Sequence, residues 1–162
     1  MKYAVPLYTV QLVRAAEIPW AENRARVAPR DVCEIVKSVL GDPDRECVLL
    51  LFLDSASQLL GVHHLSTGSM GRAEMSGREV FRAALLAGAD AVVLAHNHVS
   101  GIPEPSDIDE RTTVVLEQLG ALIGVKVLDH VIVGHQRYFS FREEGRMAAP
   151  DDLWSDGPDH VE

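Results

Sequence analysis

Little in this 162-residue chain could staple it, anchor it or steer it by charge. Two cysteines, Cys33 and Cys47, make no disulfide framework and belong to no closely spaced metal motif, so both read as buried free thiols. The longest wholly apolar runs, such as Cys47–Leu53, fall far short of a membrane span. The amino terminus has no basic stretch followed by a long apolar one, so no secretory signal is expected. A cytoplasmic protein with no membrane association is the expectation. A basic stripe is missing too: 15 basic residues face 24 acidic ones, for a net charge of −9. Residues 143–162 hold seven of those acids against Arg146 alone, so the body of the chain is only mildly acidic. Direct tight binding to duplex nucleic acid is therefore not expected. The isolated Trp20 and Trp154 make no stacking platform for single strands.

What the chain does have is a globular composition, with 47% apolar and 24% charged residues. Its length suits one domain, and a chain of this size buries roughly 68–70% of its unfolded surface. Residues 3–14 are β-branched and aromatic and predict a strand, with Pro6 marking an edge or an early bulge. Pro29 opens a helix on which Val32, Ile35, Val36, Val39 and Leu40 recur at helical spacing, and Gly41 closes it. Cys47–Leu53 predicts a strand buried on both faces, and Gln58–Ser66 its returning partner. A Gly/Ser-rich loop over 66–77 leads to a helix over Arg78–Leu86, with Val80, Phe81, Ala84 and Leu85 on its apolar face and Gly88 as its cap. Ala89–Ala95 predicts a second buried strand, and His96–Pro105 a loop held irregular by Gly101, Pro103 and Pro105. Ser106 then starts a helix whose apolar face is Ile108, Thr112, Val115, Leu119 and Leu122. Val125–Gly134 and Arg137–Phe141 predict a final hairpin, and a frayed acidic tail follows Pro150. The order of elements predicts an α/β (α+β) single domain: a mixed β-sheet flanked by helices.

The chemistry concentrates in His96-Asn97-His98, Ser106 and Asp109. Residues two apart on extended backbone point the same way, so the two imidazoles converge if the strand continues through them. Asp109 lies in the first turn of the next helix, where the intervening loop could return its carboxylate to the same spot. Two histidines and one carboxylate suit zinc and leave a fourth position open, the layout of a catalytic site. Ser106-x-x-Asp109 also reads as a helix capping box, and Asp107, Asp109 and Glu110 suit the helix dipole. The two roles do not compete. For a general base the candidates are Glu46, at the mouth of the first buried strand, Glu79 on the second helix, and Glu104 between two prolines. His63 and His64 read as surface or packing residues, and His135 as a hairpin-turn residue. His130 reads as a hydrogen-bonded strand residue that could also support a metal-ligating side chain.

The stretch His96–Asp109 resembles the signature of RadC-type proteins of the JAB/MPN (JAMM) metalloprotease superfamily. Arg78-Glu79-Val80-Phe81 and Leu128–Gly134 resemble RadC-type segments on either side, and the likeness covers roughly residues 30–145. Val99 stands where the family usually has proline, and Ser76-Gly77 where it usually has His-Pro. The resemblance implies a JAB/MPN, cytidine deaminase-like architecture. It implies zinc ligands at His96, His98 and Asp109, a carbonyl-contacting serine at Ser106 and a water-activating glutamate at Glu46, with Glu79 as the fallback. It also implies a zinc-dependent hydrolase of the metallopeptidase or isopeptidase type, with a peptide or protein substrate. The alternatives are a DNA-repair or mobile-element accessory protein and a non-catalytic scaffold. The chain resembles the short stand-alone members that lack the amino-terminal extension of longer RadC proteins. The expected division is an amino-terminal strand and loop over 1–28, the RadC-like domain over 29–145 and a flexible acidic tail over 146–162.

Overall fold

The computed structural model describes residues 6–19, 27–68 and 75–148. Most of the tail expected over 146–162, the middle of the 66–77 loop, Trp20 and Trp154 lie outside the described residues. Helix α1 (Pro29–Leu40) begins at its proline, and the Asp31 carboxylate accepts the Ala28 N–H at 2.9 Å. Strands β1 (Cys47–Leu53) and β2 (Leu59–Thr67) follow. They are joined by a turn in which the Asp54 carboxylate accepts the N–H groups of Ala56 and Gln58. Helix α2 (Gly77–Ala87), strand β3 (Ala91–Asn97), helix α3 (Asp107–Ile123) and strands β4 (Lys126–Val133) and β5 (Tyr138–Ser140) complete the order.

The five strands form one mixed sheet in the order β2-β1-β3-β4-β5. Only β3 and β4 run parallel, because α3 carries the chain back across the sheet between them. β1 and β3 occupy interior positions, and every residue of both is buried. Their period-two alternation divides two cores. Leu49, Leu51, Leu53, Val93 and Ala95 face α1 and pack on Val32, Ile35 and Val36. Leu50, Phe52, Val92 and Leu94 face the other way and pack on Val80, Phe81 and Ala84 of α2 and Leu116 of α3. Each leucine buried this way contributes about 1.5–3 kcal/mol.

Three expectations need correction. Described residues 6–14 form no strand, and Leu7, Tyr8, Val10 and Val13 are exposed. β-propensity measures fit to a pleated, half-buried surface, and the described part of this segment pairs with no neighbour. Leu85 of α2 is exposed, and the buried face is Val80, Phe81, Ala83 and Ala84. On α3 the expected face is wrong by about one residue. Ile108, Val115 and Leu122 are exposed, while Asp109, Thr113, Leu116, Glu117 and Gly120 are buried. Polar side chains occupy the inward stripe, so sorting by apolarity selected the neighbouring one.

Candidate metal centre

Strand parity sets the first ligand. Val92, Leu94 and His96 lie on the same side of β3, so His96 extends the apolar row towards α3 and is itself buried. Pairing continues past the strand, where the His98 N–H donates to the Val133 carbonyl at 3.1 Å. The extended backbone thus persists and both rings converge: His96 Nε2 and His98 Nε2 stand 3.0 Å apart.

The loop after His98 folds back tightly. Its Gly101 N–H donates to the His98 carbonyl at 2.9 Å, and the His135 N–H donates to the Gly101 carbonyl at 3.2 Å. Gly101 has φ +74°, which favours glycine, and a Cβ there would stand 1.9 Å from the ring of the exposed His135, which would have to shift. The loop delivers Ser106 as the amino-terminal cap of α3. The Asp109 N–H donates to Ser106 Oγ at 3.3 Å, and the Ser106 N–H donates to Asp109 Oδ2 at 2.8 Å. The Ser106 hydroxyl also donates to Asp109 Oδ2, at 2.6 Å. The cap therefore fixes the carboxylate: Oδ1 lies 3.4 Å from His96 Nε2 and Oδ2 3.6 Å from His98 Nε2. One ligand atom from each of His96, His98 and Asp109 lies within 4.8 Å of the others, a grouping that could hold a metal ion.

The charges respond to this crowding. Burial pushes the His96 ring down to about 4, with Asp109 opposing and His98 adding to the fall. The hydrogen bond with Asp109 pulls His98 above the ordinary histidine value against its partial burial, helped by the Ile102 carbonyl and by Asp109 and Glu46. Burial favours the neutral form of Asp109. Its contacts with His98, His96 and Ser106 outweigh that and hold its carboxyl below the ordinary range.

The structure separates the three glutamates. Glu46 is half-buried just before β1, near enough for its charge to raise His98. Glu79 is ion-paired with Arg82 on the surface of α2. Glu104 is paired with Arg137 at 2.6 Å. Asn97, the residue between the two histidines, brackets Glu46. Its Oδ1 accepts the Cys47 N–H at 2.8 Å, and its Nδ2 donates to the Arg45 carbonyl at 3.0 Å. Sequence reasoning assigned Asn97 no role, although strand alternation turns it away from the rings of its neighbours. Thr113 was missed too, although it lies one turn after Asp109 on the same stripe. His130 is fully buried on β4, between the His96 ring and the Phe141 ring, with which it stacks at 4.9 Å. A cavity of 520 Å³ opens beside His98 between the end of α1 and the β4–β5 turn, walled by Val36, Leu40, Pro43, Val99 and Val133.

Residues 27–146 match the model of the RadC-like JAB domain. A UPF0758 protein of Chlorobium phaeovibrioides is 36% identical over 126 residues, 78% of this chain and 56% of its own length. One from Thermotoga maritima is 43% identical over 104 residues, 64% of this chain and 47% of its own length. One from Methanosarcina acetivorans is 35% identical over 136 residues, 83% and 59% of the two chains. The chain thus spans about half the length of these curated relatives. No helix among the described residues is long and apolar enough to cross a membrane.

Proposed function

The chain belongs to the RadC-like JAB domain family, and from that premise we propose that His96, His98 and Asp109 hold a zinc ion and that the domain hydrolyses a peptide- or isopeptide-type amide bond. The observation that carries this reading is the meeting of three lone-pair donors, His96 Nε2, His98 Nε2 and an Asp109 carboxylate oxygen, at one largely buried corner. Such a set repels itself unless a cation or a proton sits among it. Its nitrogen and oxygen donors match what zinc takes, with a position to spare. When bound, zinc supplies Lewis acidity and makes hydroxide available near neutral pH.

The chain's own groups do the rest. His98 is oriented by its Nδ1–H, which donates to the Ile102 carbonyl at 2.8 Å and leaves Nε2 for the corner. Glu46, held in place by Asn97 on either side, takes a proton from the attacking water and returns it to the leaving amine. Ser106 sits at the rim with its hydroxyl on Asp109, and turning that hydroxyl outward would present it to the substrate carbonyl oxygen. The cavity beside His98, lined by Lys37 and Asp42 as well as by apolar side chains, would receive a substrate side chain.

Metal analysis of the purified protein, together with hydrolysis of a peptide and isopeptide panel, tests the reading. His98→Ala should lose the metal. Glu46→Ala should keep it and lose hydrolysis by about 10²–10⁴-fold, the usual worth of a positioned base. A wild-type protein that takes up no zinc from a metal-buffered solution ends the proposal. Full activity in Glu46→Ala moves the base elsewhere.

A further inference from the structure

Behind His96 runs a buried chain of hydrogen bonds whose direction can be worked out. The Thr113 hydroxyl lies 2.7 Å from the Asp109 main-chain carbonyl and 2.7 Å from His130 Nδ1. His130 Nε2 lies 2.9 Å from His96 Nδ1. A carbonyl oxygen can only accept, so the single Thr113 hydrogen points at Asp109. Were it pointed at His130 instead, two bare oxygens would face each other at 2.7 Å. Thr113 Oγ1 must then accept from His130, which places the His130 hydrogen on Nδ1. The ring is sealed among His96, Thr113 and Phe141, with no acid on either nitrogen, so it carries one hydrogen and its Nε2 is bare. A bare Nε2 needs a donor, which is His96 Nδ1–H. His96 Nε2 is consequently the free lone pair, and it faces His98 and Asp109.

We propose that Thr113 and His130 are positioning residues that lock His96 in the one tautomer able to offer Nε2 to a metal ion. The proposal rests on reading the corner as a metal site, and it deepens that reading. The relay also closes on itself: Thr113 anchors on the backbone of Asp109, so one helical turn fixes the carboxylate and, through His130, the opposing imidazole. With a single hydrogen on His130, no other placement satisfies all three contacts.

The test pairs Thr113→Val with Thr113→Ser in the full chain. Valine keeps the shape and removes both the donor and the acceptor; serine keeps both. Histidine ring ¹⁵N spectra of the metal-free wild type at pH 7.5 should show His96 and His130 as Nδ1–H tautomers. Thr113→Val should move both towards Nε2–H, and Thr113→Ser should not. In competition with a chromophoric chelator, the zinc affinity of Thr113→Val should fall by about 10–100-fold, while Thr113→Ser stays within about threefold of wild type. Amide spectra establish that each variant is folded. A wild-type His130 carrying its hydrogen on Nε2, or a folded Thr113→Val with unchanged tautomers and zinc affinity, overturns the proposal. If the wild type binds no zinc, the metal reading falls on its own, and the tautomer spectra still decide the relay.

Discussion

The two faces of the sheet are built from the same strands by opposite means. Towards α1, β1 and β3 present aliphatic side chains as far as Asn97 at the end of β3, and α1 answers with Val32, Ile35 and Val36. Towards α3, the apolar rows end in His96 and His130, and α3 answers with Asp109 and Thr113, each paired by hydrogen bonds. No buried side-chain nitrogen or oxygen among the described residues is left without a partner. The first face holds the fold by area removed from water, which tolerates reshuffling of shape. The second holds a constellation by directed contacts, each of which fails if one partner is lost. The α1 side is thus mainly a packing core, whereas the α2–α3 side carries a core of its own together with the ligand cluster.

Separating the two sides experimentally gives the largest expected effect. Leu51→Ala on the α1 face should cost about 2–5 kcal/mol in denaturant unfolding. Zinc affinity of the folded protein should be nearly unchanged, because Leu51 touches nothing at the corner. A Leu51→Ala variant that loses zinc affinity while still folded would show the two faces to be coupled.

Acid should act through the polar face. In the folded, metal-free protein the His96 ring is held down to about 4 by burial, and His130 is lowered as well. In the unfolded chain both take up protons near 6.5. The unfolded state therefore binds more protons between those values, and stability falls as the pH drops from about 6.5 towards 4. His98, raised by Asp109, works with the opposite sign: its contribution is present at low pH and lost as the pH rises through its folded value. With His96 and His130 lowered and only His98 raised among these three rings, they should together destabilise the metal-free fold as the pH drops. Zinc should steepen the slope, because protons compete for the same nitrogens. Denaturant melts at pH 7 and pH 5, with and without zinc, measure this. A metal-free protein equally stable at both would contradict the burial argument.

The loop that carries the site from β3 to α3 is the next place to press. Gly101→Ala should cost about 1–3 kcal/mol, from its positive φ together with the collision with His135. Adding His135→Ala should recover the collision part but not the backbone part. Zinc affinity should follow the same partial recovery, because this loop carries the Ile102 carbonyl that orients His98. Full recovery by the second substitution would mean that backbone conformation costs nothing there.

The contrast between the faces also explains what was legible in the sequence. Strands β1 and β3 and helix α1 follow from runs and spacings of aliphatic residues, because burial on the α1 face is decided by apolarity alone. His96, His98, Ser106 and Asp109 could be brought together on paper because strand alternation and helix capping are local rules. Asn97, Thr113 and the alignment of His130 behind His96 were not legible. Each depends on a partner 17–52 residues away whose register only the folded sheet supplies. The amino-terminal segment failed for the converse reason: propensity was present and a neighbouring strand was not.

Helix α3 compresses the whole comparison into two adjacent residues. Val115 belongs to the apolar stripe that the spacing favours, yet it is 51% exposed, whereas Leu116 beside it is 1% exposed against α2 and the sheet. Leu116→Ala should therefore fall in the range of about 2–5 kcal/mol typical of buried leucine. Val115→Lys places a charge on what spacing alone would make the core, and should stay within about 0.5 kcal/mol of wild type. It should also leave zinc affinity alone, because Val115 points to solvent while Asp109 and Thr113 lie on the inward stripe. A large loss of stability in Val115→Lys would mean that the outer stripe is covered in solution and that α3 has two working faces.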